Sequence, residues 1–135
     1  MPTVTIRTAE LPTAERRAIA VRLTRWFSDH DSDRRHVVVR FEKTEEGTVF
    51  VGGMPIEALP HDSEGLHHAS VVCCVSVGRD HVFYEELAAV LADALGMTAG
   101  TPFLYLEFRP TPKESVYFGV QGRLRRADAT GKGNR

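Results

Sequence analysis

The chain has 135 residues, 42% of them hydrophobic and 26% charged, with a formal net charge of −1, which suits one globular domain with a real core and leaves too little for two. No apolar run approaches the roughly 20 residues of a membrane span, the first residues lack the pattern of a secretory signal, and Lys and Arg are scattered rather than gathered into a stripe. A cytoplasmic protein with neither a membrane nor a nucleic-acid partner is therefore expected.

Taken in chain order, Pro2 precedes an alternating run, Thr3 to Arg7, that reads as a strand. Pro12, Thr13, Glu15 and Arg16 mark a helix start, and Ala18, Ile19, Leu23, Trp26 and Phe27 recur at helical spacing on one face. A second strand is predicted at Val37 to Phe41, then a short hairpin strand at Thr48 to Gly52. Residues 54–68 carry two prolines and turn formers and read as a linking loop.

The same order then returns. Ser70 to Val75 reads as a strand, Phe83, Leu87, Val90, Leu91, Ala94 and Leu95 form a helical stripe ended by Gly96, and Leu104 to Phe108 with Ser115 to Gly119 repeat the strand and hairpin. Phe41 matches Phe108 and Gly52 matches Gly119 at an offset of about 67 residues. The expected domain is 1–124, made of repeat one at 2–53, the linker and repeat two at 69–122; a polar tail that frays from about Arg123, with 125–135 disordered, is expected to follow.

Two β-α-β units predict an α+β fold, a four-stranded sheet with two helices on one face in a ferredoxin-like split arrangement. The sheet's other face is expected to be apolar and to be covered by oligomerisation, most simply a homotrimer. Cys73 and Cys74 are adjacent within a strand and so face opposite ways, which argues against a mutual disulfide or metal chelate and favours two core-type thiols. His61, His67 and His68 cluster in and after the linker without recognised ligand spacing, and no metal or cofactor is assigned.

Pro2 carries the first chemical signal. A methionine followed by proline is normally removed, which would leave Pro2 with a free secondary amine. An α-amino group has a reference pKa near 8, and apolar burial or neighbouring cations favour its neutral, basic form. The structural alternative is a proline tolerated at a strand's first residue.

Pro2 opening a β-α-β unit, the hairpin from Val49 to Gly53 and the duplicated second half resemble the tautomerase superfamily, whose branches include 4-oxalocrotonate tautomerase, macrophage migration inhibitory factor and malonate semialdehyde decarboxylase. The resemblance runs to about Leu124 and implies trimers with an amino-terminal proline as catalyst. Residue by residue, it points to Asp33, beside the proline in the decarboxylase branch, as a second catalytic group. Arg79 falls where that branch has a carboxylate-binding arginine, although His81 stands where a second arginine is expected. A guanidinium suits this role because its rigid fork matches a carboxylate and keeps its charge in a dry pocket.

Arg40 falls two residues from the substrate arginine of the 4-oxalocrotonate branch, and Tyr105 falls where the migration inhibitory factor branch has an active-site tyrosine. Tyr117 and Phe118 are candidates to wall a neighbouring subunit's pocket. Each also has a plain reading as a turn, core or packing residue.

Three functions follow as expectations. The first is a Pro2-dependent tautomerase, an isomerase of a small 2-oxo or enol carboxylic acid. The second is a decarboxylase, hydratase or dehalogenase of a three-carbon acid using Pro2, Asp33 and Arg79. The third is a non-catalytic trimeric binding module.

Overall fold

The computed structural model describes residues 2–62 and 64–129. Strand β1 (Thr3–Thr8) leads into helix α1 (Thr13–Ser28) and returns through a 3-10 turn, Arg34–His36, to β2 (Val38–Lys43). A tight hairpin follows, β3 (Phe50–Val51) and β4 (Met54–Pro55), reversed at Gly52 and Gly53, whose φ values of 59° and 82° favour glycine. The second half runs β5 (His68–Ser76), α2 (His81–Leu95), β6 (Phe103–Thr111), then the hairpin β7 (Tyr117–Val120) and β8 (Arg123–Arg126).

The main sheet has the order β2-β1-β5-β6, with β1 and β5 antiparallel at the centre and each parallel to its own repeat's second strand. This is the duplicated β-α-β architecture expected from the sequence. Opposed central strands bring Thr5 beside Val72, and a pseudo-twofold relation passes near that pair. One repeat's beginning therefore lies at the other repeat's end of the sheet.

Alternation in the strands decides which face is buried. Val4 and Ile6 from β1, with Ala69, Val71, Cys73 and Val75 from β5, meet Ile19, Leu23 and Phe27 of α1 and Phe83, Leu87, Leu91 and Leu95 of α2 in one core. Each such aliphatic or aromatic side chain contributes about 1.5–3 kcal/mol when fully buried. Asp80 caps α2 by accepting the Phe83 backbone N–H at 2.9 Å, and Gly96 ends it in the left-handed region at φ 83°. α1 starts instead on Pro12 without a side-chain cap.

The other sheet face differs from expectation, because it is mostly polar. Thr3, Thr5 and Arg7 of β1 lie in register with Cys74, Val72 and Ser70 of β5 on one side and with Val38, Arg40 and Glu42 of β2 on the other. β6 adds Tyr105, Glu107 and Arg109. Arg7 pairs with Glu42 at 2.8 Å, and Arg109 donates to Glu107 at 2.6 Å. The reason is the same period of two: the residues that alternate with the core set are those whose side chains can stay hydrated.

Large apolar side chains are exposed elsewhere, notably Phe50 and Met54 on the first hairpin and Tyr117 and Leu124 on the second. Cys73 is buried and Cys74 half-buried, both as free thiols, and burial pushes the Cys73 thiol up to about 12. Within the stretch read as a linker, Met54–Pro55 pair with β3 and Ile56 is buried. Arg123–Arg126, where fraying was expected to begin, pair with β7 across a turn at Gln121 and Gly122, both at positive φ. Residues 130–135 lie outside the described part.

Concavities open at both ends of the main sheet. One is a narrow crevice at the Pro2 end of β1. The other, at the opposite end, is a cleft of about 520 Å³ between α1 and α2, lined among others by Thr8, Ala9, Ala94, Leu95 and His67. The described helices include none long and apolar enough to cross a membrane.

Candidate active site

Pro2 is buried at the head of β1, and its carbonyl accepts the Val38 backbone N–H at 3.1 Å, which extends the β1–β2 ladder to the first described residue. Its ring sits on the helix-covered face, in a crevice formed by Phe27 at the end of α1, Ser32, Val75 and Ser76 at the end of β5, and Arg79 and Phe83 at the start of α2. The antiparallel centre of the sheet creates this meeting, because it puts the end of β5 beside the start of β1.

Arg79 is half-buried and lies over the Phe83 ring, its guanidinium carbon 4.5 Å from the ring centroid. Among the described residues it makes no ion pair. Several other arginines of the chain do pair with an acid, for example Arg22 with Asp93 at 2.7 Å. A cation in the wall of a narrow crevice, stacked on an aromatic face and lacking a counter-anion, has an open position for an anionic partner. In this conformation the crevice has no room for a water molecule. A ligand that enters the crevice itself must shift one of its lining side chains.

A second hollow of about 310 Å³ adjoins the crevice through these same two residues, and His30, Gly78, Asp80, Val82 and Glu86 complete it. His30 stacks on Trp26 at 3.8 Å, donates through Nδ1 to the Trp26 carbonyl at 2.7 Å, and presents Nε2 to Glu86 at 3.5 Å. The aromatic run of Trp26, His30 and Phe83 thus holds the surface on which Arg79 rests.

Asp33 is near this region in sequence but engaged elsewhere. It begins the 3-10 turn, accepts the Arg35 backbone N–H at 2.9 Å, and is gripped by the Arg35 guanidinium at 3.2 Å and 2.8 Å. That side-chain contact, with the backbone hydrogen bond, holds its carboxyl well below the usual carboxylate range. Its neighbour Ser32, not Asp33, lines the crevice. His81 is likewise turned away, pairing with Glu85 at 3.0 Å along α2.

Arg40 and Tyr105 belong to the polar sheet face, so within one chain the sheet separates them from Pro2. Arg40 is exposed beside Thr5. Tyr105 donates to Glu107 at 3.1 Å, and this bond holds its phenol above the ordinary value. Tyr117 is exposed on β7, while its neighbour Phe118, expected against another subunit, stacks on His36 of the same chain at 4.2 Å. The second hairpin therefore reaches the turn that carries Asp33. Phe27, Ser32, Phe83, His30 and Glu86 were not read from the sequence as site residues; Phe27 and Phe83 show there only as core positions.

No family model matches the sequence, and no curated protein does. Solved structures do match in shape. A native fused 4-OT superposes with a TM-score of 0.69 at 19% identity, covering 96% of this chain and 99% of that one. The chain has the tautomerase fold. Within that fold, a member of the cis-3-chloroacrylic acid dehalogenase family also superposes, with a TM-score of 0.69 at 18% identity over 97% of this chain and 89% of the other. A wild-type fused 4-OT solved as a symmetric trimer gives 0.69 at 18% identity over 96% and 99%.

Proposed function

We propose that the chain is a Pro2-dependent tautomerase that isomerises a small 2-oxo or enol monocarboxylic or dicarboxylic acid without a cofactor. The observation that carries this reading is the meeting, in one narrow crevice, of a buried Pro2 with Arg79, which makes no ion pair among the described residues. In an enol substrate, neutral Pro2 nitrogen accepts the hydroxyl proton and the O–H electrons stay on oxygen as an enolate. The oxygen pair then forms the carbonyl as the C=C pair takes a proton from the resulting ammonium, so the amine is regenerated and nothing is consumed. Arg79 binds the carboxylate in bidentate fashion and stabilises the enolate-like charge between these transfers. The scheme requires removal of Met1, since an acylated proline nitrogen is not basic.

The hydratase, dehalogenase or decarboxylase reading uses Asp33 to activate water. The Arg35 grip weighs against it: a carboxylate so stabilised as an anion is a poor proton acceptor, and it lies outside the crevice lining. Assembly as a trimer is part of the proposal. It is supported by the trimers formed by similar fused 4-OT proteins and by the apolar side chains exposed on both hairpins. In such an assembly Arg40, Tyr105 or Tyr117 of one subunit can serve another's crevice.

The test is ultraviolet monitoring of phenylenolpyruvate and 2-hydroxymuconate ketonisation, alongside intact mass. Pro2→Ala is expected to lower kcat/KM by about 10²–10⁴-fold, the usual worth of a positioned acid/base. A processed wild-type protein inactive on both acids, or one that retains Met1, overturns the proposal.

A further inference from the structure

We infer that the hollow beside Arg79 is a subsite for the uncharged tail of the substrate, and that Glu86, with Asp80, makes the site select monocarboxylates over dicarboxylates. The inference rests on the proposed role of Arg79 and goes further, because it names the kind of acid. Two boundary conditions lead to it. The Pro2 crevice has no space of its own, so a molecule whose carboxylate meets Arg79 must place the rest of itself in the adjoining volume. That volume, about 310 Å³, is at the lower end of the size range for small-molecule pockets.

The lining of the hollow then sets the chemistry. Val82 and the Phe83 ring offer an apolar wall, and Gly78 leaves one side without a side chain. The charged groups around it other than Arg79 are Asp80 and Glu86, with His30 turned toward Glu86 at 3.5 Å. Asp80 is committed to capping α2 through the Phe83 N–H, which keeps its negative charge at the rim. One carboxylate therefore finds one guanidinium, and a second carboxylate on the same molecule would face two acids. An aryl or alkyl tail meets no such penalty.

Binding and turnover separate this inference from the function it rests on. Wild-type protein, Glu86→Gln and the control Glu85→Gln, which alters the neighbouring acid outside the hollow, are titrated with 3-phenylpropionate and with adipate, following backbone amides of Gly78, Val82 and Phe83 by NMR. The same proteins are assayed with phenylenolpyruvate and 2-hydroxymuconate. Glu86 is more than half exposed, so Glu86→Gln is expected to fold normally.

The expected result is that wild type prefers 3-phenylpropionate and phenylenolpyruvate. Glu86→Gln should improve adipate affinity and 2-hydroxymuconate KM by roughly five- to tenfold, as removal of a like charge at this range implies, with kcat little changed and the gain shrinking as salt is added. Glu85→Gln should leave both preferences as they are. Equal binding of the two acids, or a Glu86→Gln variant that moves neither ratio, overturns the subsite. Selective binding at these amides without turnover of either enol upholds the subsite and overturns the tautomerase reading.

Discussion

Phe83→Leu should tighten binding of a small carboxylate, although it removes a residue that lines the site. In the resting structure Arg79 lies over the Phe83 ring at 4.5 Å and the crevice is shut. A cation–π contact of this partly buried kind is worth about 0.5–2 kcal/mol. If a ligand must break it, the competent population is reduced by roughly two- to thirtyfold, and apparent affinity falls by the same factor. Leucine keeps most of the volume against Trp26 and Tyr84 but offers no ring face, and such a swap costs under about 1.5 kcal/mol of stability. Pyruvate is the suitable probe because it has almost no tail to engage the adjoining hollow. Calorimetric titration should show the Phe83→Leu affinity raised two- to thirtyfold over wild type, and Arg79→Ala should abolish the signal. Weaker or unchanged pyruvate binding in Phe83→Leu, with Arg79→Ala still inactive, would refute the idea that the ring holds Arg79 back.

Asp33→Asn should leave ketonisation of phenylenolpyruvate within about threefold of wild type, because its carboxylate serves Arg35 and not the crevice; a loss of a hundredfold would return Asp33 to the reaction. Leu87→Ala, at a fully buried position, should cost about 3–5 kcal/mol in urea unfolding, and a cost under 1 kcal/mol would mean that the core is packed differently. The raised Cys73 thiol implies alkaline weakening. The unfolded thiol ionises from about 9 and the folded one from about 12, so between these values the unfolded state binds fewer protons and stability declines by at most about 1.4 kcal/mol per pH unit from this group. Native alkylation at pH 8 should accordingly label Cys74 before Cys73, as peptide mass mapping can read. His68 acts at the other end of the scale: burial lowers its pKa below 6.5, so its contribution is complete above that value and is lost as pH falls through the folded pKa, which Gln at this position should remove from the pH–stability curve.

Much of the architecture was legible because it rests on periodicity. The stripe Ile19, Leu23, Phe27 and its counterpart Phe83, Leu87, Leu91, Leu95 announce two helices on one sheet face, and the offset of about 67 residues announces the pairing of the halves. What escaped depends on which neighbour a side chain selects. Asp33 carries the same sequence signal whether it faces a proline or grips Arg35 two residues on, and only the 3-10 turn decides. The polar sheet face escaped for a related reason: Val and Cys dominate β5, whereas the Thr, Arg, Glu and Tyr that set the character of that face sit on the neighbouring strands. Strand β8 reads Arg-Leu-Arg-Arg, with no apolar alternation; its pairing is dictated by the Gln121 and Gly122 reversal. Arg79 was legible as an anion-seeking residue, while the ring that restrains it looked like ordinary core.

The pseudo-twofold relation makes the two ends of the sheet relatives. Shifted by the repeat offset, Val75, Ser76 and Phe27 of the Pro2 crevice become Thr8, Ala9 and Ala94, which line the wide cleft at the far end, and Pro2 itself becomes Ala69, the second residue of β5, whose nitrogen is locked in a peptide bond. Under the proposed mechanism, then, only one of the twin hollows has a backbone amine to titrate. The sister hollow has the methyl group of Ala94 where its counterpart has the Phe27 ring, and it is the roomier of the two, edged by His67 and His68.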